Sequence, residues 1–147
     1  MNIRAAALEY LEDVGREPTV AQALGLRRGQ SGSSKDIASS RLFPPSESAT
    51  KARAWWHDID LHKTNGDGNI ILVCEWDRPP PGFYVLAVPK SWLREHQESF
   101  AQVGGKLRLH LSAEPGELFI DRRYGSANLN LGEFQVECRD GREPPHP

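Results

Sequence analysis

Two apolar runs, Asn69-Ile70-Ile71-Leu72-Val73-Cys74-Glu75-Trp76 and Phe83-Tyr84-Val85-Leu86-Ala87-Val88, constrain the fold of this chain more than any other feature. Glu75 apart, neither run keeps a polar face, which is the pattern of central strands covered on both sides. Pro79-Pro80-Pro81-Gly82 forces a connection between them and Pro89 stops the second, since proline cannot donate to a strand ladder. Asn65-Gly66-Asp67-Gly68 supplies turn chemistry ahead of the first.

Half-exposed strands flank this pair. In Trp55 to His62, Trp55, Ile59 and Leu61 fall on one face and Trp56, Asp58, Asp60 and His62 on the other. Lys106 to Ser112 alternates with Leu107, Leu109 and Leu111 inward and Arg108 and His110 outward. Weaker strand signals follow at Leu118–Asp121 and Leu129–Val136, separated by the polar Arg122-Arg123-Tyr124-Gly125-Ser126.

Ile3, Ala7, Leu8, Leu11 and Val14 recur at helical spacing, so residues 2–14 read as an amphipathic helix ended by Gly15. Thr19 to Leu26 suggests a second short helix, and Ser91 can cap a third, with Trp92, Leu93, His96 and Phe100 as its stripe and Gly104-Gly105 beyond its end. The expected class is α+β: N-terminal helix or helices, then a mainly antiparallel or mixed sheet of four to six strands with one packed helix. At 147 residues one core, and so one domain over 1–147, is expected. The tail 139–147 is expected to be frayed.

Charge is segregated along the chain. Between Arg27 and Arg53, six basic residues stand against Asp36 and Glu47, a net charge of +4 among Gly, Ser and Pro, while the whole chain carries −2. Such a stretch buries too little apolar surface to offset its ordering entropy, so 27–53 is expected to be a flexible basic segment that orders on a partner. Cys74 and Cys138 form no CxxC pair or zinc-type spacing, which argues against a metal or disulfide framework. Without an apolar leader or an apolar run of membrane-spanning length, a cytoplasmic protein with no membrane contact is expected.

The order helix, strand, strand, strand, helix, strand, with the stretch from Trp55 through Gly68-Asn69-Ile70-Ile71-Leu72-Val73 to Val88-Pro89-Lys90-Ser91-Trp92-Leu93, resembles the later half of small PD-(D/E)XK proteins, the restriction-endonuclease-like family. In some of these small proteins a strand ending in Val-Pro leads into a helix. The resemblance implies a nuclease in which two carboxylates hold Mg²⁺ and a lysine assists the attacking water. Here Val88 stands two residues before Lys90, where the signature has a carboxylate. Asp58, Asp60, Glu75 and Lys90 would then form an irregular catalytic set. Read without the resemblance, they are a solvated strand face, a strand end and a surface lysine.

Other constellations are weaker. His57, His62 and His110 with Asp58 and Asp60 offer metal-ligand chemistry, but alternation puts His57 on the opposite strand face from His62, and no metal site is expected. Gly29-Gln30-Ser31-Gly32-Ser33-Ser34-Lys35 lacks the spacing of a phosphate loop. Thr19–Leu26 lacks a close recognition helix. The expected function is a non-catalytic binding module of a bacterial-type cytosolic protein. Its partner is protein or nucleic acid, the latter contacted through Arg27, Arg28, Lys35 and Arg41. It needs no cofactor; Mg²⁺ enters only under the nuclease alternative.

Overall fold

Burying both faces of the two apolar runs takes three layers. The computed structural model describes residues 3–14, 36–48, 51–76, 82–114, 116–121 and 129–136. Its elements are α1 (Ile3–Val14), β1 (Ile37–Ser40), β2 (Leu42–Phe43), β3 (Ala54–Asp60), β4 (Asn69–Trp76), β5 (Gly82–Pro89), α2 (Lys90–His96), β6 (Ala101–Val103), β7 (Lys106–Ser112) and β8 (Gln135–Val136). They form two four-stranded sheets, β1-β4-β5-β8 and β2-β3-β7-β6. Every pairing is antiparallel except β1 with β4. The α+β class with a mainly antiparallel arrangement is present, its strands divided between two stacked sheets.

The first sheet is the middle layer. Ile70, Leu72 and Cys74 of β4 and Tyr84, Leu86 and Val88 of β5 pack against Trp55, Ile59, Leu107, Leu109 and Leu111 of the second sheet. The alternate residues Ile71, Val73, Phe83, Val85 and Ala87 pack against Ala7, Tyr10 and Leu11 of α1. That is why neither run keeps a polar face. Each large apolar side chain so buried contributes about 1.5–3 kcal/mol. Ala- and Leu-rich sequence favours α1 as a helix, and Tyr10, absent from the expected stripe, completes its buried face with its ring 5.0 Å from that of Phe83.

Several boundaries differ from expectation. The helix after Pro89 ends at His96, and a 3-10 turn at Gln97–Ser99 leads into β6, which pairs with β7. Gly104 and Gly105, both at positive φ (57° and 77°), make the two-residue hairpin loop whose twist matches paired strands, and this local chemistry overrides helical continuation. Ser91 is no cap: the helix begins at Lys90 without a side-chain cap bond. His110, expected outward, is 4% exposed, because Trp56 packs on its ring at 4.7 Å and Asp121 accepts from its backbone N–H. The weak signals near the C-terminus shrink to the bridges Leu111–Asp121 and Ile120–Asn130 and the short β8.

Within the segment expected to be flexible, β1 pairs residue for residue with β4, from Ile37–Ile71 to Ser40–Cys74. Burial of Ile37 beneath α1 and the ladder to an interior strand order it, a signal too short to show as periodicity. Residues 27–35, the expected helix at Thr19–Leu26 and the tail 139–147 lie outside the described residues. Among the described residues no helix is long and apolar enough to cross a membrane.

Candidate binding cleft

The stacked sheets leave two strand edges facing each other. β2 pairs only with Ala54 and Trp55, so from Trp56 onward that side of β3 has no strand partner among the described residues. β1 is the outermost strand of the first sheet on the same side. The Trp56 N–H, directed outward, donates to Ser40 Oγ at 2.8 Å. In an antiparallel ladder alternate residues send both backbone polar groups the same way, so the N–H and C=O of Asp58 also point outward from β3.

Between the edges lies a cleft of about 440 Å³, within the range of small-molecule sites. Residues 36–39 form one wall, Phe43, Trp56 and Asp58 the other, and Ile59 and Ile70 the base. Arg4 reaches in from α1, its guanidinium donating to Ile37 O at 3.1 Å, and Lys63 enters from the 3-10 turn at Leu61–Thr64. That turn is fixed by Arg94 of α2, which donates to the carbonyls of Thr64 and Gly66.

The charges in and around the cleft are mostly matched. Asp36 is held by Lys90 Nζ at 3.4 Å, a pair only 25% and 12% exposed. Asp58 Oδ1 takes Arg108 Nε at 3.3 Å and the Trp56 indole N–H at 2.8 Å. Among the described residues Lys63 has no carboxylate partner. The aromatic wall is backed by cations: the Phe43 and Trp56 rings lie 6.0 Å apart, with Arg41 over Phe43 at 4.1 Å and Arg108 over Trp56 at 4.9 Å.

The four residues that the nuclease resemblance singles out are dispersed. Asp58 lies in the cleft and Asp60 ends β3. Glu75 and Lys90 sit at opposite ends of the β4–β5 ladder, where Glu75 is opposite Phe83 and Asn69 opposite Pro89; six residues of strand separate the two ends by roughly 20 Å. Glu75 instead braces the start of β2, its carboxylate accepting from Leu42 N–H at 3.3 Å while its carbonyl accepts from the Trp55 indole at 2.8 Å. Lys90 is committed to Asp36. Among the described residues no group of three or more His, Cys, Asp or Glu could hold a metal ion.

The histidines are likewise apart. His57 faces the core between the sheets, its Nε2 3.4 Å from Val73 O and 3.8 Å from Cys74 Sγ. Burial lowers its pKa from 6.5 to about 4, partly offset by the Val73 carbonyl. His62 is exposed and His110 lies beneath Trp56 on the other face of the second sheet. Burial also pushes the Cys74 thiol up, so it stays protonated and inert.

Of the residues expected to contact nucleic acid, Arg41 is exposed, paired with Glu47 at 3.6 Å and stacked on Phe43; Arg27, Arg28 and Lys35 lie outside the described residues. Arg4, Asp36, Phe43, Trp56 and Lys63 join the cleft without having been singled out as site residues. The one signal for them was Trp56, a large aromatic on the polar face of its strand. No family model matches the chain, and no curated protein or solved structure is significantly similar to it.

Proposed function

We propose that this protein is a non-catalytic, cytoplasmic binding module whose ligand enters the cleft between the edges of β1 and β3, and whose partner is nucleic acid. One observation carries this reading: the two carboxylates of the cleft, Asp36 and Asp58, are each engaged by a cation of the protein itself. A metal-dependent nuclease needs such carboxylates free to hold Mg²⁺. Engaged carboxylates and a wall carrying the tilted Phe43 and Trp56 rings suit recognition instead. Residues 36–39 and Phe43 line the cleft, and the basic residues of the surrounding +4 stretch from Arg27 to Arg53 add attraction for a polyanion. An unpaired thiol in the core, Cys74, suits a reducing compartment.

The test is affinity for labelled single- and double-stranded DNA and RNA across a salt series, with and without Mg²⁺ or Mn²⁺. Salt-dependent binding without cleavage is expected. Changing Arg27, Arg28, Lys35 and Arg41 to Ala together should weaken binding and flatten its salt dependence while leaving the melting temperature almost unmoved. Absence of affinity for every nucleic acid at low salt would move the partner to protein. Metal-dependent strand scission abolished by Asp58→Asn would replace the binding module with the nuclease alternative.

A further inference from the structure

We propose that the cleft accepts a single nucleoside phosphate unit, with the base against the Phe43–Trp56 pair and the phosphate on Lys63. This rests on the nucleic-acid reading above and specifies which part of a nucleic acid is read, and where.

Charge indicates the sign of the ligand. Asp36 and Asp58 are ion-paired with Lys90 and Arg108, whereas Lys63 brings a positive charge that no described carboxylate answers. The turn that presents it is pinned by Arg94 from α2 and by the Leu61 N–H bond to Gly105 O at 2.9 Å. An ammonium presented from a fixed turn into a concave site is suited to a compact anion such as phosphate.

Shape and polarity indicate the rest of the ligand. Opposite β1 the lining includes Phe43 and Trp56, whose rings are tilted to each other at 6.0 Å, together with Ile59 and Ile70. Such a surface accepts a planar, weakly polar group, and every nucleobase offers a stacking face. The outward N–H and C=O of Asp58 supply one donor and one acceptor to the edge of that plane. At about 440 Å³ the cleft has room for a nucleotide and not for a duplex. The base must therefore arrive unpaired, from a single strand or as a free mononucleotide.

Fluorescence anisotropy with labelled oligothymidylate and oligoadenylate, competed with adenosine and thymidine monophosphates and with the matching duplex, tests the assignment. Single strands should bind and the duplex should compete poorly. Displacement by a monophosphate identifies the free nucleotide as sufficient, and binding of strands alone identifies a strand segment; either result supports the site. Lys63→Ala should weaken binding and lower the slope of log K against log salt by about 0.7, the share of one phosphate on a single strand, while Lys63→Arg restores both. Trp56→Ala should cost roughly tenfold in affinity with the salt slope unchanged, and Trp56→Phe should retain most of it. Trp56→Phe also serves where Trp56→Ala fails to fold. Strand binding that is indifferent to both the Lys63 and the Trp56 substitutions overturns the site and leaves the nucleic-acid reading standing. No binding of any strand or monophosphate at low salt overturns both.

Discussion

His57 makes the stability of this fold depend on pH over a defined window. Its ring is 1% exposed between the two sheets, with Nδ1 lacking a hydrogen-bond partner among the described residues and Nε2 at 3.4 Å from Val73 O. The imidazole is therefore neutral in the folded protein, with its pKa lowered to about 4, against roughly 6.5 in an unfolded chain. Between those values the unfolded state binds the extra proton, so stability rises with pH. The contribution is complete above about pH 6.5 and is lost as pH falls to about 4. The fall in pKa from roughly 6.5 to about 4 corresponds to roughly 3 kcal/mol, with a slope of up to about 1.4 kcal/mol per pH unit. Urea unfolding followed by tryptophan fluorescence at several pH values, for the wild type and for His57→Leu and His57→Gln, isolates this term. Carboxylates titrate alike in all three proteins, and any packing penalty of the substitution is a constant offset. The stability of the wild type relative to either variant should fall by about 3 kcal/mol from pH 7.5 to pH 4. A relative stability that does not change with pH would show that His57 is not held neutral by burial, and the reasoning would be wrong.

Leu109 is fully buried between the sheets, so Leu109→Ala should cost about 2–5 kcal/mol in urea, while Arg108→Ala, losing a part-exposed ion pair and a ring contact, should cost no more than about 1 kcal/mol. Phe119 sits at φ 65° with its ring 5.5 Å from Trp55 and 5.2 Å from Tyr84; Phe119→Ala should cost about 3–5 kcal/mol and flatten the near-UV circular dichroism, and an unchanged spectrum would contradict this packing. Gly105→Ala meets no steric neighbour, yet φ is 77°, so thermal melts should show a loss of about 1–2 kcal/mol.

The parts of this fold that could be read ahead of the structure are those where side-chain period and burial agree. β4 and β5 declared themselves through residues apolar on both faces, and β7 through Leu107, Leu109 and Leu111. β3 was legible for the same reason, although His57 occupies a core-facing position that a polar side chain disguises. β1 was hidden because Ile37-Ala38-Ser39-Ser40 is too short and too small in its side chains to show a period; its order comes from the ladder to β4, a contact over more than thirty residues of chain. β6 was hidden because helix and strand compete after Ser99, and the Gly104-Gly105 loop decides in favour of the strand. The cleft was the least legible part. It arises from the meeting of two sheet edges, and Arg4, Asp36, Trp56 and Lys63 come from four separate elements with no spacing in common. Asp58 was singled out for metal chemistry and lies in the cleft with a different engagement, paired to Arg108 from the neighbouring strand.

The nesting of the two ladders has a kinetic consequence. β4 and β5 pair along eight positions across a short connection, whereas β3 and β7, which pair from Ala54–Ser112 to Asp60–Lys106, enclose that whole hairpin. Closing a loop costs more entropy the longer it is, so direct encounter of β3 with β7 is the expensive step. A preformed β4–β5 hairpin brings the two flanking strands close together before they pair, and its apolar face offers them a surface on which to settle. This nesting predicts folding from the β4–β5 hairpin outward, with β3 and β7 pairing after it; substitutions in β4 or β5 should then slow folding, and those in β7 should mainly speed unfolding. On that order the cleft, bounded by an edge of each sheet, is among the last features to form.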